Sequence, residues 1–185
     1  HGAPGSGFVG VPGAPEGWSF SLGNQNTFGL SSSEKHGGTS ALYLTGPPVT
    51  VPLENAAPAI LQQSFRPDLY RGKRVRFAAW VKPLGITSAR YAGLWMRVDG
   101  PYGNVLAFDN MLKRPIRGTA RWTRYAVVLD VSENAQLLSY GILLNGAGKV
   151  DINAVRVEVV GYEVPTTVEA MAEDPTKPAN LDFSQ

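Results

Sequence analysis

The apolar positions of this chain recur at every second residue, most clearly in two runs between Arg71 and Asp109. In Lys73–Lys82 the apolar set is Val75, Phe77, Ala79 and Val81, and the alternate positions include Arg74, Arg76, Trp80 and Lys82. In Tyr91–Asp99 the apolar set is Ala92, Leu94, Met96 and Val98, with Tyr91, Trp95, Arg97 and Asp99 between them. Period-two alternation over this length is the pattern of a strand with one buried face. Both runs direct aromatic and charged groups away from the core. If the two strands share a sheet, Trp80, Trp95, Arg74, Arg76, Arg97 and Asp99 form one surface.

Weaker runs of the same period flank this pair. Trp18–Leu22, Ala41–Thr45 and Ala59–Phe65 read as strands, with a lesser candidate at Thr50–Asn55. Gly23–Gly38, small and polar, reads as a long loop. Val105–Phe108 is a hairpin partner for the second central run across Gly100–Asn104. Asp109–Arg121 reads as a loop. Trp122–Val131 buries Tyr125, Val127, Leu129 and Val131, and Leu138–Asn145 alternates Leu138, Tyr140, Ile142 and Leu144 against Ser139, Gly141 and Asn145. In Val150–Val160 the apolar parity changes near Asn153–Ala154, which requires a β-bulge. Helical period is absent beyond a turn at Leu112–Ile116 and at Thr167–Met171. Residues 1–17, rich in Gly and Pro, form an extended lead-in, 18–162 the folded domain and 163–185 a Pro-rich linker toward another module. Eight or more short strands at this spacing predict an all-β, antiparallel two-sheet β-sandwich of jelly-roll type.

Composition narrows the function classes. Hydrophobic residues make up 43% and charged residues 17% of 185, which describes a folded domain. The net charge of +2 is too small for a nucleic-acid footprint over the whole domain. There is no cysteine, so disulfides and thiolate chemistry are excluded. No run approaches the roughly 18 apolar residues of a membrane-spanning helix. The chain starts at His1 without an initiator Met, as a processed or trimmed product does, and an extracytoplasmic location is favoured.

Catalytic constellations are poorly supported. His1 and His36 are the only histidines. A copper brace from this pair is disfavoured by the flexible Gly-Pro setting of His1. No Gly-x-Ser-x-Gly elbow accompanies His36. Asp99 and Asp109 are the one carboxylate pair to consider for hydrolysis, and both read better as turn residues. Gly141–Gly148 lacks the ending of a phosphate loop and reads as a hairpin turn at Asn145–Gly146. No catalytic residue, metal ligand or cofactor is assigned.

The tryptophan and arginine set remains. Trp80, Trp95, Arg97, Asp99, Arg76 and Tyr91 are the candidate ligand-binding residues. Aromatic faces suit the apolar side of a sugar ring, and a few fixed polar groups suit its hydroxyls. The same residues are enriched in protein–protein hot spots, and they could equally pack beneath the loop Asp109–Arg121. Arg114, Arg117, Arg121 and Arg124 form a basic run suited to an acidic partner.

The order Pro15-Glu-Gly-Trp18, His36-Gly-Gly-Thr-Ser-Ala-Leu42, Leu61-Gln-Gln63, Gly72–Lys82, Trp122, Tyr140-Gly-Ile-Leu-Leu144 and Asp151–Val155 resembles the carbohydrate-binding-module type of galactose-binding-like jelly roll. That resemblance covers residues 7–160 and implies a non-catalytic sugar-binding domain. Ala92–Gly100, Leu106–Met111 and Arg114–Thr119 more narrowly resemble a bacterial sandwich domain of unsettled role, found alone or beside other modules, helix-turn-helix regulators among them. The jelly-roll resemblance implies a structural calcium between Lys35–Ser40 and the last strand. Asn153 and Ala154 stand where that pattern has carboxylates, which disfavours the ion. The reading is a non-catalytic binding module whose partners are carbohydrate or a protein module, without nucleic acid or membrane insertion. The alternative is a structural or protein–protein assembly domain of a multi-module bacterial protein.

Overall fold

The computed structural model describes residues 17–21, 26–36, 39–47, 58–87 and 90–168, with the backbone alone at 32–36 and 39–40. The expected lead-in up to residue 16, the strand candidate Thr50–Asn55 and the tail beyond 168 lie outside the described residues.

Among the described residues ten strands follow in order: β1 (Ser19–Ser21), β2 (Thr27–His36), β3 (Thr39–Thr45), β4 (Ala59–Phe65), β5 (Lys73–Leu84), β6 (Tyr91–Asp99), β7 (Val105–Asp109), β8 (Thr123–Val131), β9 (Leu137–Asn145) and β10 (Lys149–Val160). They form two five-stranded sheets. Sheet A has the order β1-β4-β9-β6-β7, and sheet B has β2-β3-β10-β5-β8. Every pairing between named strands is antiparallel. This is the expected all-β two-sheet sandwich.

The alternating residues meet between the sheets. Val75, Phe77, Ala79 and Val81 from β5 face Ala92, Leu94, Met96 and Val98 from β6, all at 1% exposure or less. Fully burying one such large aliphatic or aromatic side chain contributes about 1.5–3 kcal/mol, so these two strands alone account for a large share of the core. At one end Tyr140 stands edge-on to Phe77 at 4.9 Å, Trp18 at 5.3 Å and Phe65 at 6.0 Å. Its hydroxyl donates to Gln63 Oε1, which satisfies the polar end of a buried ring. Burial, with a smaller contribution from Tyr70, pushes the Tyr140 phenol up to about 12.

Two features differ from the alternation pattern. Gly23–Gly38, expected as a loop, holds β2, because an edge strand paired on one side to β3 is held by its backbone ladder more than by burial. The turn after β9, expected as a hairpin at Asn145–Gly146, instead carries the chain from β9 in sheet A to β10 in sheet B. Gly146 and Gly148 there adopt φ of +94° and +118°, which favours glycine. The parity change in the last strand is the expected bulge. The β10 register shifts between Asn153 and Arg156, and Ala154 has φ of +52°. Leu112–Ile116 holds a single turn, closed by Arg114 N donating to Met111 O at 2.9 Å.

The segment after β10, expected as linker from residue 163, begins docked. Thr167 N donates to Val128 O at 3.0 Å, and Val128 N donates to Thr167 Oγ1 at 2.9 Å, so this segment covers part of the edge of β8. Arg74 holds the same segment by donating to Tyr162 O at 3.0 Å and Val164 O at 2.7 Å.

Candidate functional site

The six expected ligand residues divide between the sheets. Tyr91, Trp95, Arg97 and Asp99 stand on the outer face of sheet A. Arg76 and Trp80 stand on the outer face of sheet B, on the far side of the core. The single Trp80–Trp95 surface therefore does not form. Inward and outward positions were read correctly for both strands, but the short connection between β5 and β6 crosses from one sheet to the other.

Strand register lays out the face of sheet A in rows across the strands. One row is Phe108, Arg97, Ser139 and Ser64. The next is Trp95, Gly141, Gln62 and Ser19, followed by Gly93, Leu143, Ile60 and Ser21, then by Tyr91 and Asn145. Trp95 lies opposite Gly141 and two residues from Gly93, so these neighbours across and along the sheet have no side chain, while Arg97 follows it on the other side along β6. A Cβ at Gly141 would come within 1.8 Å of Leu61 O, which restricts that position to glycine.

Trp95 is 8% exposed, so it is buried and not an open stacking platform. Its Nε1 has no hydrogen-bond partner among the described residues. Tyr91 is buried as well, and burial together with the charge of Asp109 raises its phenol above the ordinary value. Arg97 is the exposed member of β6, and its Nε donates to Asp99 Oδ2 at 3.1 Å. Ser64 and Ser139 hydroxyls are hydrogen-bonded at 2.8 Å. Gln62, Ser64, Ser139, Leu143 and Ile60 were not among the expected site residues. Ser139 and Asn145 were legible as outward positions of the β9 alternation, but nothing in a single strand's pattern places them beside Trp95.

On sheet B, Arg76 donates from Nη2 to Glu158 Oε1 at 2.8 Å, and Trp80 is half-buried opposite Arg124 and Asn153. The carboxylate pair considered for hydrolysis is engaged elsewhere. Asp99 takes Arg97. Asp109 Oδ1 accepts from Met111 N at 2.9 Å, as the turn reading expected, while Oδ2 accepts from Arg114 Nη2 at 2.7 Å and Thr167 Oγ1 at 2.6 Å. Asp151, an acidic residue of the last strand, is buried 3.6 Å from Lys149 Nζ and opposite Lys82 in the register. An ammonium group beside this carboxylate opposes a bound divalent cation. The side chains of the Lys35–Ser40 loop lie outside the described residues. No described helix is long and apolar enough to cross a membrane.

No family model matches the chain. One curated relative, named as an uncharacterized HTH-type transcriptional regulator, YbfP, of Bacillus subtilis (strain 168), is 38% identical over 173 residues. That alignment takes in 92% of this chain, which spans 57% of the relative's length. Among solved structures, the CBM22-1 xylan-binding domain from Paenibacillus barcinonensis superposes with a TM-score of 0.55 at 12% identity, over 80% of this chain and 88% of that one. A bacteriophage CBA120 tailspike enzymatically active domain superposes with a TM-score of 0.56 at 17% identity, over 78% of this chain and 20% of that one. At these identities the likeness shows the fold, a jelly roll of the carbohydrate-binding-module kind.

Proposed function

We propose that the chain is a non-catalytic binding module whose leading ligand is carbohydrate, taken on the outer face of sheet A. The observation that carries this reading is Trp95 Nε1, a shielded donor without a partner among the described residues, in a face that otherwise offers hydroxyl and amide groups. Leaving such a donor unmet costs about 1–3 kcal/mol, which a ligand oxygen would recover. Arg97 in the next row is neutralised by Asp99, while Gln62, Ser64 and Asn145 supply the neutral hydrogen-bonding groups that match sugar hydroxyls. Trp95 acts here through its N–H and not by stacking. The fold shared with xylan-binding domains supports the ligand class.

Tryptophan fluorescence titrated against xylan and other neutral oligosaccharides tests it, with Trp95→Phe as the variant. The expected result is a saturable change whose affinity falls by roughly tenfold in Trp95→Phe, the equivalent of about 1.4 kcal/mol. Unchanged affinity in Trp95→Phe, or no response to any neutral glycan, refutes the role of this face.

A second reading is an assembly domain of a multi-module bacterial regulator. It is favoured by the name of the curated relative, by the narrower resemblance to regulator-associated sandwich domains, and by an exposed apolar strip along the edge strand β7. Tyr102, Val105, Leu106, Phe108 and Leu112 are all exposed there. Sedimentation equilibrium of the chain and of Phe108→Glu tests it. A self-associating chain that becomes monomeric in Phe108→Glu supports this reading, and a monomer at every concentration removes self-assembly from it.

A further inference from the structure

We infer that the outer face of sheet B carries a second ligand site, which takes a carboxylate-bearing saccharide between Arg124 and Arg156 beside Trp80. This rests on the carbohydrate reading for its ligand class, but it uses the opposite sheet and can fail separately.

The register builds the site in three rows. Arg124, Trp80 and Asn153 form the first, Ala126, Ala78 and Arg156 the second, and Val128, Arg76 and Glu158 the third. The middle row holds two alanines beside Arg156, and Ala78 is buried at 2% exposure between the longer side chains of the flanking rows. Arg76 is committed to Glu158 through Nε at 3.2 Å and Nη2 at 2.8 Å. Arg124 and Arg156 are exposed and form no salt bridge among the described residues. Glu158 is held below its ordinary range first by its bond to Arg76 and further by the charges of Arg156 and Arg124. Arg76 is the arginine that bonds this carboxylate, so Arg124 and Arg156 leave two positive charges without a paired carboxylate among the described residues.

The two uncommitted arginines rise from strands on either side of β5. Adjacent strands lie about 4.8 Å apart, so their backbones are separated by about 10 Å across the sheet. A single carboxylate does not span that gap, whereas a chain of acidic units does. Guanidinium forks take carboxylates in two-point hydrogen bonds, and the half-buried Trp80 stands on the strand between them. Two spare charges are few against the roughly 6–10 phosphate contacts typical of a nucleic-acid footprint, which favours a saccharide over a phosphate polymer.

Isothermal titration of the chain with polygalacturonate, xylan and duplex DNA, at low and high salt, tests the proposal. Thermal melts check that each variant is folded. Polygalacturonate is expected to bind, to weaken as salt rises, and to lose roughly tenfold or more in affinity in the Arg124→Gln, Arg156→Gln double variant. The corresponding double Lys variant is expected to recover only part of the loss, because it keeps the charge without the fork. Trp95→Phe is expected to leave this binding unchanged. Absence of polygalacturonate binding at low salt, binding indifferent to the double Gln substitution, or equally tight binding of DNA overturns it. Xylan binding without polygalacturonate binding defeats this site and leaves the sheet A reading intact, and the reverse pattern does the opposite.

Discussion

The two outer faces of this sandwich are built from similar alternating strands, yet they carry opposite chemistry. On sheet B, six cationic side chains (Arg74, Arg76, Lys82, Arg124, Lys149 and Arg156) stand against Asp130, Asp151 and Glu158. Arg74 grips Asp130 through two bonds, Nε to Oδ1 at 2.8 Å and Nη2 to Oδ2 at 3.0 Å. On sheet A, the strand positions that face outward carry one arginine and one aspartate, which pair with each other, among serines, Gln62, Asn145 and buried aromatic groups. A sheet face is specified by every second residue only, so the core places few demands on it. The same fold can present a neutral hydrogen-bonding surface on one side and an ion-pair lattice on the other.

The contrast is most exposed at its two tryptophans. Trp95→Ala removes a buried indole and is expected to cost about 3–5 kcal/mol in urea denaturation, whereas Trp80→Ala on the half-buried face of sheet B is expected to cost about 1 kcal/mol. Equal losses would mean that the two faces are shielded alike. Next in size is the latch where the faces meet. Asp109→Ala strips Arg114 and Thr167 of their shared carboxylate and is expected to cost about 1–3 kcal/mol, with faster proteolysis after residue 160. Arg114 is partly exposed, which keeps the loss below that of a fully buried pair.

Titration separates the core from both faces. The Tyr140 phenol is raised, so the fold favours its neutral form. The stability this contributes is intact below the ordinary value of 10.0 and is lost as pH rises through about 12. Absorbance of tyrosinate is expected to show late-titrating groups, of which the one near 12 disappears in Tyr140→Phe while the raised Tyr91 remains. The smallest effect belongs to the ion-pair lattice. Glu158 is held below its ordinary value of 4.5, so its contribution is present above that pH and falls away as acid protonates it. In melts across a pH series, Glu158→Gln is expected to flatten a slight acid dependence. A large change would mean that sheet B depends on its charges for stability.

Much of the fold is legible residue by residue. Ala59–Phe65 is β4 with the expected bounds, and Asn153–Ala154 marks the bulge of β10 through apolar parity alone. Asp109 and Asn110 bond the backbone two residues on, as short polar side chains in turns do. The candidate site was legible only by halves. Arg97 and Asp99 were read as sharing a face, and they are hydrogen-bonded there. Trp95 was read as outward, with an open platform and packing beneath a loop left as alternatives, since its burial depends on Gly93, Gly141 and the way other segments approach them. β2 was missed because Gly29 and Ser31–Ser33 carry no alternation, and its partner β3 supplies the reason for it to be extended.

By itself, then, the alternation of apolar and polar residues determined which side of each strand meets the core, because burial acts on each side chain individually. It did not determine which sheet each strand joins. In a sandwich both sheets present the same apolar face to the same interior, so β5 and β6 show one pattern whether they lie side by side or face to face. That choice came from the tertiary structure. The connection between them crosses the core, the backbone ladders pair β5 with β8 and β10 and β6 with β7 and β9, and the two tryptophans end on opposite sides of the molecule.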